Sequence, residues 1–390
     1  MPCLKPGQAP EHGASHHRRF VCIVAALLAG CLGGKRPPLP TVPGTEATDL
    51  VAAIHGSLLI TTRGPDHKPT RLVTISLPGR RAAELPQVHP SACCIGQSSG
   101  PSTAGGFIYV LTVGNGDRAS MYLVAGRDSL PREILQRVGS RYAVFGQQPL
   151  LSPEGSAVAF LSGGKGTQFA GEYLNVGAIE LWSAASGTTR ELATGATDEG
   201  MAWFPNDSAI AYVTRVPRES LSSEQIDELS TGTIECANHV KHLDAVPVVY
   251  IVNAITGLRR ALHIGAKPVV SSDGRHVLVQ CLSSVMVSSD GHEATQVAIP
   301  GDLGRPLALL DSTLVIYWGL PTAGAKVVRS PYGSFGAGTQ AVTIKVANIR
   351  TGRFQTVVPT VDPRGEVGFG WGVIEGQLGT DSVRVTDPFL

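Results

Sequence analysis

A hairpin unit that recurs along most of the chain is the feature that most limits how this sequence can fold. Each unit is an apolar strand, a tight polar turn and a second apolar strand; clear copies are Pro149–Phe160, Met201–Tyr212 and Pro268–Val279, with a degenerate fourth at Leu307–Tyr317. The turns contain Gly, Asn or Asp, which tolerate positive φ, and the flanking β-branched and aromatic residues favour a pleated sheet. The pattern therefore predicts consecutive antiparallel strands.

A second type of hairpin alternates with the first. Its copies are Leu72–Leu85, Met121–Leu135, Ile179–Leu192, Val249–Leu262, Val285–Val297 and Ile344–Val357. Their centres are separated by about 54 residues on average, close to the spacing of roughly 40 to 50 residues in propeller blades. We therefore predict an all-β fold, a six-bladed β-propeller of four-stranded antiparallel blades. Val367–Val385 remains as a further strand pair, so seven blades are the alternative.

The alternation of two turn types indicates which propellers the chain is similar to. Ser-Pro-Glu-Gly at 152–155 and Ser-Ser-Asp-Gly at 271–274 alternate with Thr-Gly turns at 256–257 and 351–352. This alternation resembles the TolB-type, WD-like β-propeller repeat, and it extends over nearly all of the chain after residue 48. TolB works in envelope assemblies, but we expect this chain to lack the additional N-terminal domain of TolB, so the particular role of TolB is not carried over to it.

The first residues of the chain have the pattern of an export signal. Arg18 and Arg19 precede an apolar run from Phe20 to Gly30 that ends in small residues. This run is much shorter than the roughly 20 residues of a membrane-spanning helix. The tetrad that ends at Cys31 resembles the lipobox of bacterial lipoproteins, in which the cysteine is acylated.

The export signal divides the chain into three predicted parts. Residues 1–30 are predicted as the signal peptide, 31–48 as the lipidated cysteine with a Gly- and Pro-rich flexible tether, and 49–390 as a single propeller domain. The expected location is the periplasmic or extracellular side of a membrane, with the lipid as the anchor.

The lengths of the connections indicate which face of the propeller binds. In a four-stranded blade the first and third turns lie on one face, here called the short-turn face. The second turn and the link to the next blade lie on the other face, here called the insertion face. The long connections fall mainly on the insertion face: Pro86–Ala92, Gly163–Gly177, Val216–Val246 and Trp318–Gly338. Long irregular loops are usually functional, so we predict loop insertions on this face and a binding surface there.

The longest connection supplies the candidate binding residues, Ser222, Gln225, His239 and His242. Ser222 and Gln225 have capping-box spacing, which predicts a short helix over 224–229. Cys236, His239 and His242 are ligand types that a transition metal accepts, but their spacing matches no familiar zinc module. We interpret the residues after Cys236 as a solvated loop and predict no metal and no other cofactor.

Four cysteines follow the lipobox: Cys93, Cys94, Cys236 and Cys281. An oxidising compartment allows three ways to pair them. Because adjacent cysteines rarely bridge each other, we predict that Cys93 or Cys94 pairs with Cys236 or Cys281. Buried unpaired thiols are the alternative.

Several other features bear on function. With Lys+Arg 32 against Asp+Glu 31, the chain has no basic surplus to bind nucleic acid. Gly96–Gly100 matches the Gly-x-Ser-x-Gly nucleophile elbow but is followed by no helix, and Gly163–Thr167 lacks the spacing of a phosphate-binding loop and is predicted to be flexible. Core packing is predicted for the aromatic residues Phe160, Trp182, Trp203, Tyr212 and Tyr250.

These features predict a non-enzymatic binding or adaptor module. Its partner is expected to be a protein or a cell-envelope component, and the chain itself is expected to be a monomer. The alternative is a periplasmic or surface hydrolase or lyase that acts on a sugar or lactone in the central channel. That activity would require at least three inward polar or acidic side chains around a metal.

The lipobox yields a direct test in the native cell. Cys31→Ser removes the acylation site, so we expect loss of metabolic labelling by a fatty-acid analogue and release of the protein from the membrane fraction. Cys22→Ser, inside the apolar run, is the control and should keep both. Labelling of the Cys31→Ser protein at the normal level would contradict the lipoprotein prediction.

Overall fold

The computed structural model describes residues 45–358, with gaps at 55, 64–68, 78–80, 86–94, 100–101, 103–105, 114–117, 126–128, 139–145, 170–171, 282, 298–302, 311 and 320–342. The predictions for the signal peptide, Cys31, Cys93, Cys94 and Val367–Val385 therefore lie outside the described residues. The same holds for the connection at 86–92 and most of that at 318–338.

The described chain is built mainly of antiparallel strands that follow one another in sequence. A short strand β1 (Thr45–Glu46) and a 3-10 turn (Val51–Ala53) precede the first sheet. Sheet 1 contains β2 (Gly56–Arg63), β3 (Pro69–Leu77) and β4 (Arg81–Leu85). Sheet 2 contains β5 (Ile95–Ser99), β6 (Phe107–Val113), β7 (Arg118–Val124) and β8 (Arg132–Val138).

Sheet 3 has seven strands and joins two meanders. It contains β9 (Gly146–Leu151), β10 (Ala157–Phe169), β11 (Glu172–Ser183), β12 (Thr189–Trp203), β13 (Ala209–Pro217), β14 (Ala245–Asn253) and β15 (Arg259–Ile264). The start of β12 pairs with β11, whereas its end, Met201–Trp203, pairs with β13. The prediction of separate four-stranded blades is wrong at this junction, because β12 continues from one meander into the next, with a register shift and positive φ at Gly195 and Gly200.

Two further sheets complete the described chain. Sheet 4 contains β16 (Ala266–Val270), β17 (His276–Gln280), β18 (Ser284–Ser288) and β19 (Ala294–Val297). Sheet 5 contains β20 (Leu303–Leu309), β21 (Leu314–Gly319), β22 (Thr343–Asn348) and β23 (Arg353–Val358), and β1 pairs in parallel with β23. The all-β class and the succession of hairpins are confirmed, and the number of blades stays a prediction.

Two short helices lie between β13 and β14: α1 (Ser223–Leu229) and α2 (Ile234–Val240). A 3-10 turn over Arg218–Ser220 leads into α1. Within the described part of the chain, no helix is both long enough and apolar enough to cross a membrane.

Two segments predicted as irregular are in fact strands. Thr45 and Glu46, placed in the flexible tether, form β1, because Ala47 and Val51 beside it are buried against sheet 5. Residues 163–169 and 172–177 of the next connection, including the glycine-rich stretch 163–167, continue β10 and β11, which pair from Lys165–Val176 to Phe169–Glu172 after a register shift. The prediction of a flexible loop relied on glycine content. In the structure, pairing between the two strands supplies the backbone hydrogen bonds that an irregular loop would lack.

The predicted turns are confirmed where the structure describes them. Asp207 has φ 54° in the β12–β13 turn, and its carboxylate accepts a 2.6 Å hydrogen bond from the Ser156 hydroxyl and one of 3.2 Å from the Glu154 N–H. These bonds hold the turn of one meander against the equivalent turn of the previous meander and help to stabilise a left-handed backbone at a residue other than glycine.

The core consists of apolar layers between consecutive sheets. Between sheets 2 and 3, Met121 packs with Phe160 and Trp182; between sheets 4 and 5, Leu278 packs with Tyr317. The predicted burial of Phe160, Trp182, Trp203 and Tyr212 is confirmed at 5% exposure or less, and the half-buried Tyr250 packs at the edge of the same core. Sheets 3, 4 and 5 each contribute side chains to at least two of these apolar clusters, so both faces of these sheets are covered.

Long polar side chains in the last strand of one meander contact the next meander. In β8 the Arg132 guanidinium lies 5.7 Å from the centre of the Trp182 ring in sheet 3. In β12, Arg190 donates to the carbonyl of Ala254, in the next hairpin of the same sheet. In β15, Arg260 donates to the carbonyl of Ser289 in sheet 4.

The same type of link joins the last sheet to the start of the described chain. In β23, the Gln355 side-chain amide donates to the Thr48 carbonyl at 3.1 Å and accepts from the Val51 N–H at 2.7 Å. Arg190, Arg260 and Gln355 each stand three residues after a turn glycine. The third residue after the turn glycine therefore makes the same kind of contact, a side-chain hydrogen bond to a backbone carbonyl, in all three cases.

Arg190 allows a test of these links. Arg190→Ala removes a charged hydrogen bond to a partly buried carbonyl, so we expect the free energy of unfolding to fall by about 1 kcal/mol. Urea denaturation measures the change. Arg275→Ala, at an exposed arginine in the β16–β17 turn, is the control and should change it by less than about 0.5 kcal/mol. Equal losses in the two variants would contradict the linking role.

Candidate binding surface

The insertion between β13 and β14 begins with a helix whose first turn is encoded locally. The Ser222 hydroxyl accepts from the Gln225 N–H at 3.2 Å, and the Gln225 side chain accepts from the Ser222 N–H at 2.9 Å, which completes a capping box. Hydrogen bonds from its own backbone and from Ser222 lower the pKa of Glu224. The predicted helix is confirmed. Ser222 and Gln225 are exposed and form its cap, and their role as binding residues stays a prediction.

The inner side of the insertion is apolar and packs on sheet 3. Ile226 of α1 and Val240 of α2 are 1% and 0% exposed, and they contact Val246, Val248 and Ile264 of β14 and β15. Burial of two large aliphatic side chains contributes roughly 3 to 6 kcal/mol, enough to hold both helices on the sheet.

A disulfide joins the insertion to the neighbouring sheet. Cys236 in α2 is bonded to Cys281, just after β17, with 5.9 Å between their Cα atoms. The predicted pairing of Cys93 or Cys94 with one of these cysteines is therefore wrong. The helix α2 turns Cys236 inward, with 0% exposure, and the packing of sheet 3 on sheet 4 brings it to Cys281.

A buried histidine supports the loop between the two helices. His263 in β15 is 1% exposed, and its Nε2 and Nδ1 lie 3.1 Å and 2.7 Å from the carbonyl oxygens of Thr231 and Ile264. Burial lowers the pKa of His263, while the two carbonyls act in the opposite direction and offset part of this effect. A neutral imidazole has one N–H, so it donates to one of the two carbonyls.

The possible metal ligands of the insertion are not brought together. Cys236 lies in the disulfide, His239 is half-buried in α2 and His242 is exposed after that helix. Within the described ranges there is no group of three or more His, Cys, Asp or Glu side chains that could hold a metal ion. The interpretation of the residues after Cys236 as a solvated loop is wrong, because they form α2 and its inner side is buried.

The outer side of the insertion is acidic. Its exposed acidic residues are Glu219, Glu224, Asp227, Glu228, Glu235 and Asp244. The basic residues of the same segment are the exposed Lys241 and the half-buried Arg218, which donates to the Leu221 carbonyl at 2.8 Å. Ile234, at the start of α2, is 80% exposed. The insertion therefore presents a net negative surface and one highly exposed aliphatic side chain.

A group of polar side chains where β12 passes between its two meanders was missed by the sequence analysis. Arg215 forms two hydrogen bonds with Glu199, at 2.6 and 2.8 Å, and the two side chains are only 10% and 12% exposed. Next to them, Asp198 accepts from Asn175 at 2.8 Å, and burial raises its pKa. Asp198-Glu199 is a charged pair within the otherwise uncharged stretch 192–206, which was the available signal.

The Gly-x-Ser-x-Gly match lies in a strand. Ser98 is part of β5 and is paired with Tyr109 of β6, so it does not stand at a strand-to-helix turn. The context that a nucleophile elbow needs is thus replaced by a regular antiparallel ladder.

Comparisons with known proteins give structural likenesses only. No family model matches the chain, and no curated protein matches it. TolB from Acinetobacter baumannii is similar with a TM-score of 0.42 and 13% identity over 84% of this chain and 76% of that chain. An oligogalacturonate lyase from Vibrio parahaemolyticus has a TM-score of 0.42 and 14% identity over 64% and 68%.

The β-propeller domain of the Trilobed protease from Pyrococcus furiosus is similar with a TM-score of 0.41 and 9% identity over 73% of this chain and 75% of that chain. With TM-scores below 0.5, these likenesses carry no argument about the function of this chain. Its architecture rests on the strand order and packing described above.

The lowered pKa of His263 predicts how stability depends on pH. Because this pKa lies below the ordinary value of 6.5, its contribution is fully present above about pH 6.5 and is lost as the pH falls through the lowered pKa. Urea midpoints measured between pH 7.5 and 5 should therefore fall more steeply for the native protein than for His263→Gln. His242→Gln, at an exposed histidine, should behave like the native protein. Parallel curves for all three would contradict this prediction.

Proposed function

We propose that this chain is an exported, lipid-anchored β-propeller that binds a protein or cell-envelope component through its insertion face, as a non-enzymatic adaptor. The observation that carries the proposal is that the two-helix insertion is attached at several points and yet keeps its outer side exposed. Apolar packing, a disulfide and a buried histidine fix its inner side. A rigid surface loses little conformational entropy when it binds, which favours affinity.

The proposed architecture is a propeller of six blades. Its support is the strand order: each sheet follows the chain, and the seven-stranded sheet consists of two meanders that share β12. The pairing of β1 with β23 adds to this support, because it places the start of the described chain beside its last sheet. Lipid anchoring through Cys31 is part of the proposal on the lipobox pattern alone.

The charge of the insertion indicates what kind of partner fits. Its exposed charged side chains are predominantly acidic, so a partner surface with Lys or Arg side chains is complementary. Such pairs mainly raise the association rate and depend on ionic strength. We therefore propose a partner with a basic patch next to an apolar contact for Ile234.

A specific observation favours a second candidate function, the hydrolase or lyase. The pKa of Asp198 is raised, mainly by burial, which is the direction that a general acid requires. It stands next to Glu199, whose carboxylate is ion-paired with Arg215. If the purified protein turned over a sugar or lactone and Asp198→Asn abolished turnover while Asp207→Asn did not, the adaptor proposal would be replaced.

The adaptor proposal is tested by cross-linking in the native envelope followed by mass spectrometry. Three tagged proteins are compared: the full chain, a variant in which 219–243 is replaced by a short Gly-Ser linker together with Cys281→Ala, and a triple variant Glu224→Gln, Asp227→Asn, Glu228→Gln. We expect one reproducible partner with the full chain, its loss with the linker variant, and at least a threefold lower yield with the triple variant.

Lys241→Gln is the matched control, because it changes a charge on the same surface without removing acidic groups, and it should keep the full yield. Thermal unfolding checks that each variant is folded. Undiminished capture by the folded linker variant would overturn the assignment of this face.

A further inference from the structure

A cleft of about 380 Å³ opens on the short-turn face, between the second half of sheet 3 and sheet 4. The apolar part of its lining, here called the floor, consists of Phe204 and Ile251, which are 8% and 7% exposed, and the half-buried Ala209. Asn206, Ser208 and Ser289 add polar lining. Two residues of opposite charge, Arg260 and Asp273, also line it. The cleft therefore combines an apolar floor with a cation and a carboxylate, on the face opposite the insertion.

Contacts on both sides of this cleft fix the spacing of its walls. Gly274 has φ 70°, and a Cβ atom there would lie 3.2 Å from Cδ of Pro205, so the two turns are already in close contact. On the other side, Arg260 extends from sheet 3 to sheet 4 and donates to the carbonyls of Ser289 and Asp290. The cleft is thus preformed, which lowers the entropic cost of occupying it.

Both charged groups keep hydrogen-bonding capacity for a ligand. The two partners of Arg260 are neutral carbonyls, and a guanidinium has five N–H donors, so its charge is not neutralised and donors remain. Asp273 accepts through Oδ1 from the Ser271 hydroxyl at 2.5 Å and from the Arg275 N–H at 2.9 Å, which leaves Oδ2. Burial acts to raise the pKa of Asp273, but these hydrogen bonds together with the charges of His276 and Arg275 outweigh it, and the pKa is lowered.

We propose that this cleft binds a small zwitterion with an apolar side chain, that is, a free apolar α-amino acid or a dipeptide. The carboxylate of the ligand pairs with Arg260, its ammonium group pairs with Asp273, and its side chain lies on Phe204 and Ile251. Ligand sites in proteins typically measure about 300 to 1,000 Å³, so the cleft suits a ligand at the small end of that range. This site is separate from the proposed function of the insertion face.

Ligand-observed saturation-transfer NMR on the full chain tests the proposal, because this method detects weak binding. The probes are L-phenylalanine, the dipeptide Leu-Leu, glycine, N-acetyl-L-phenylalanine and L-phenylalaninamide. We expect saturable binding of phenylalanine or of the dipeptide, at least fivefold weaker binding of the two blocked derivatives, and none of glycine. The relative affinities of phenylalanine and the dipeptide show whether a free amino acid or a dipeptide is the better ligand.

Two substitutions test which charged residue of the cleft pairs with which end of the ligand. Asp273→Asn should weaken phenylalanine binding at least fivefold and abolish the discrimination against the N-acetyl derivative. Arg260→Gln should weaken phenylalanine binding at least fivefold and abolish the discrimination against L-phenylalaninamide. Arg350→Gln, at an exposed arginine of another turn, is the matched control and should change neither. A general structural disturbance would not separate the two ends of the ligand in this way.

Three results would overturn the proposal. The first is the absence of saturable binding by either zwitterion to the folded native chain. The second is equal binding of phenylalanine and both blocked derivatives, which would mean that only the apolar floor contributes. The third is unchanged discrimination in both cleft variants, which would place the binding elsewhere.

Discussion

Apolar contact between consecutive sheets is the interaction on which the rest of this structure depends. Sheet 3 packs on sheet 2 through Phe160 and Trp182 and on sheet 4 through Phe204 and Val213. A sheet that is buried on both faces has no solvated side, so its stability depends on its neighbours. Polar links add to this contact: Arg190 and Arg260 donate to carbonyls of the following hairpins, and Gln355 donates to a carbonyl near the start of the described chain.

The same packing explains how both candidate surfaces arise. On the insertion face, sheets 3 and 4 bring Cys236 to Cys281 and so attach the helices to two sheets at once. On the short-turn face, the gap between these sheets becomes a cleft whose width is set by the Gly274 contact and by Arg260. Both surfaces therefore lie on one junction, and a change in how these two sheets pack would alter both.

Much of the fold could be predicted from the sequence because its signals are local. The Asp-Gly and Thr-Gly turns and the Ser222–Gln225 capping box depend on residues within a few positions of one another, and the structure has them where they were expected. Less of the candidate site could be predicted. The ion pair of Arg215 with Glu199 joins neighbouring strands, and the contact of His263 with Thr231 depends on how the insertion folds back.

By itself, the sequence determined the strand class, the hairpin positions, the first helix and the burial of the large aromatic residues, since each follows from local propensity or periodicity. Only the tertiary structure decided that Cys236 pairs with Cys281, that α2 is a packed helix, that 163–169 and 172–177 continue β10 and β11 and that β12 serves two meanders. The physical reason is the same in each case. These features depend on contacts between segments that are distant in the chain. The residues next to a position in the sequence do not specify which distant residues it will contact.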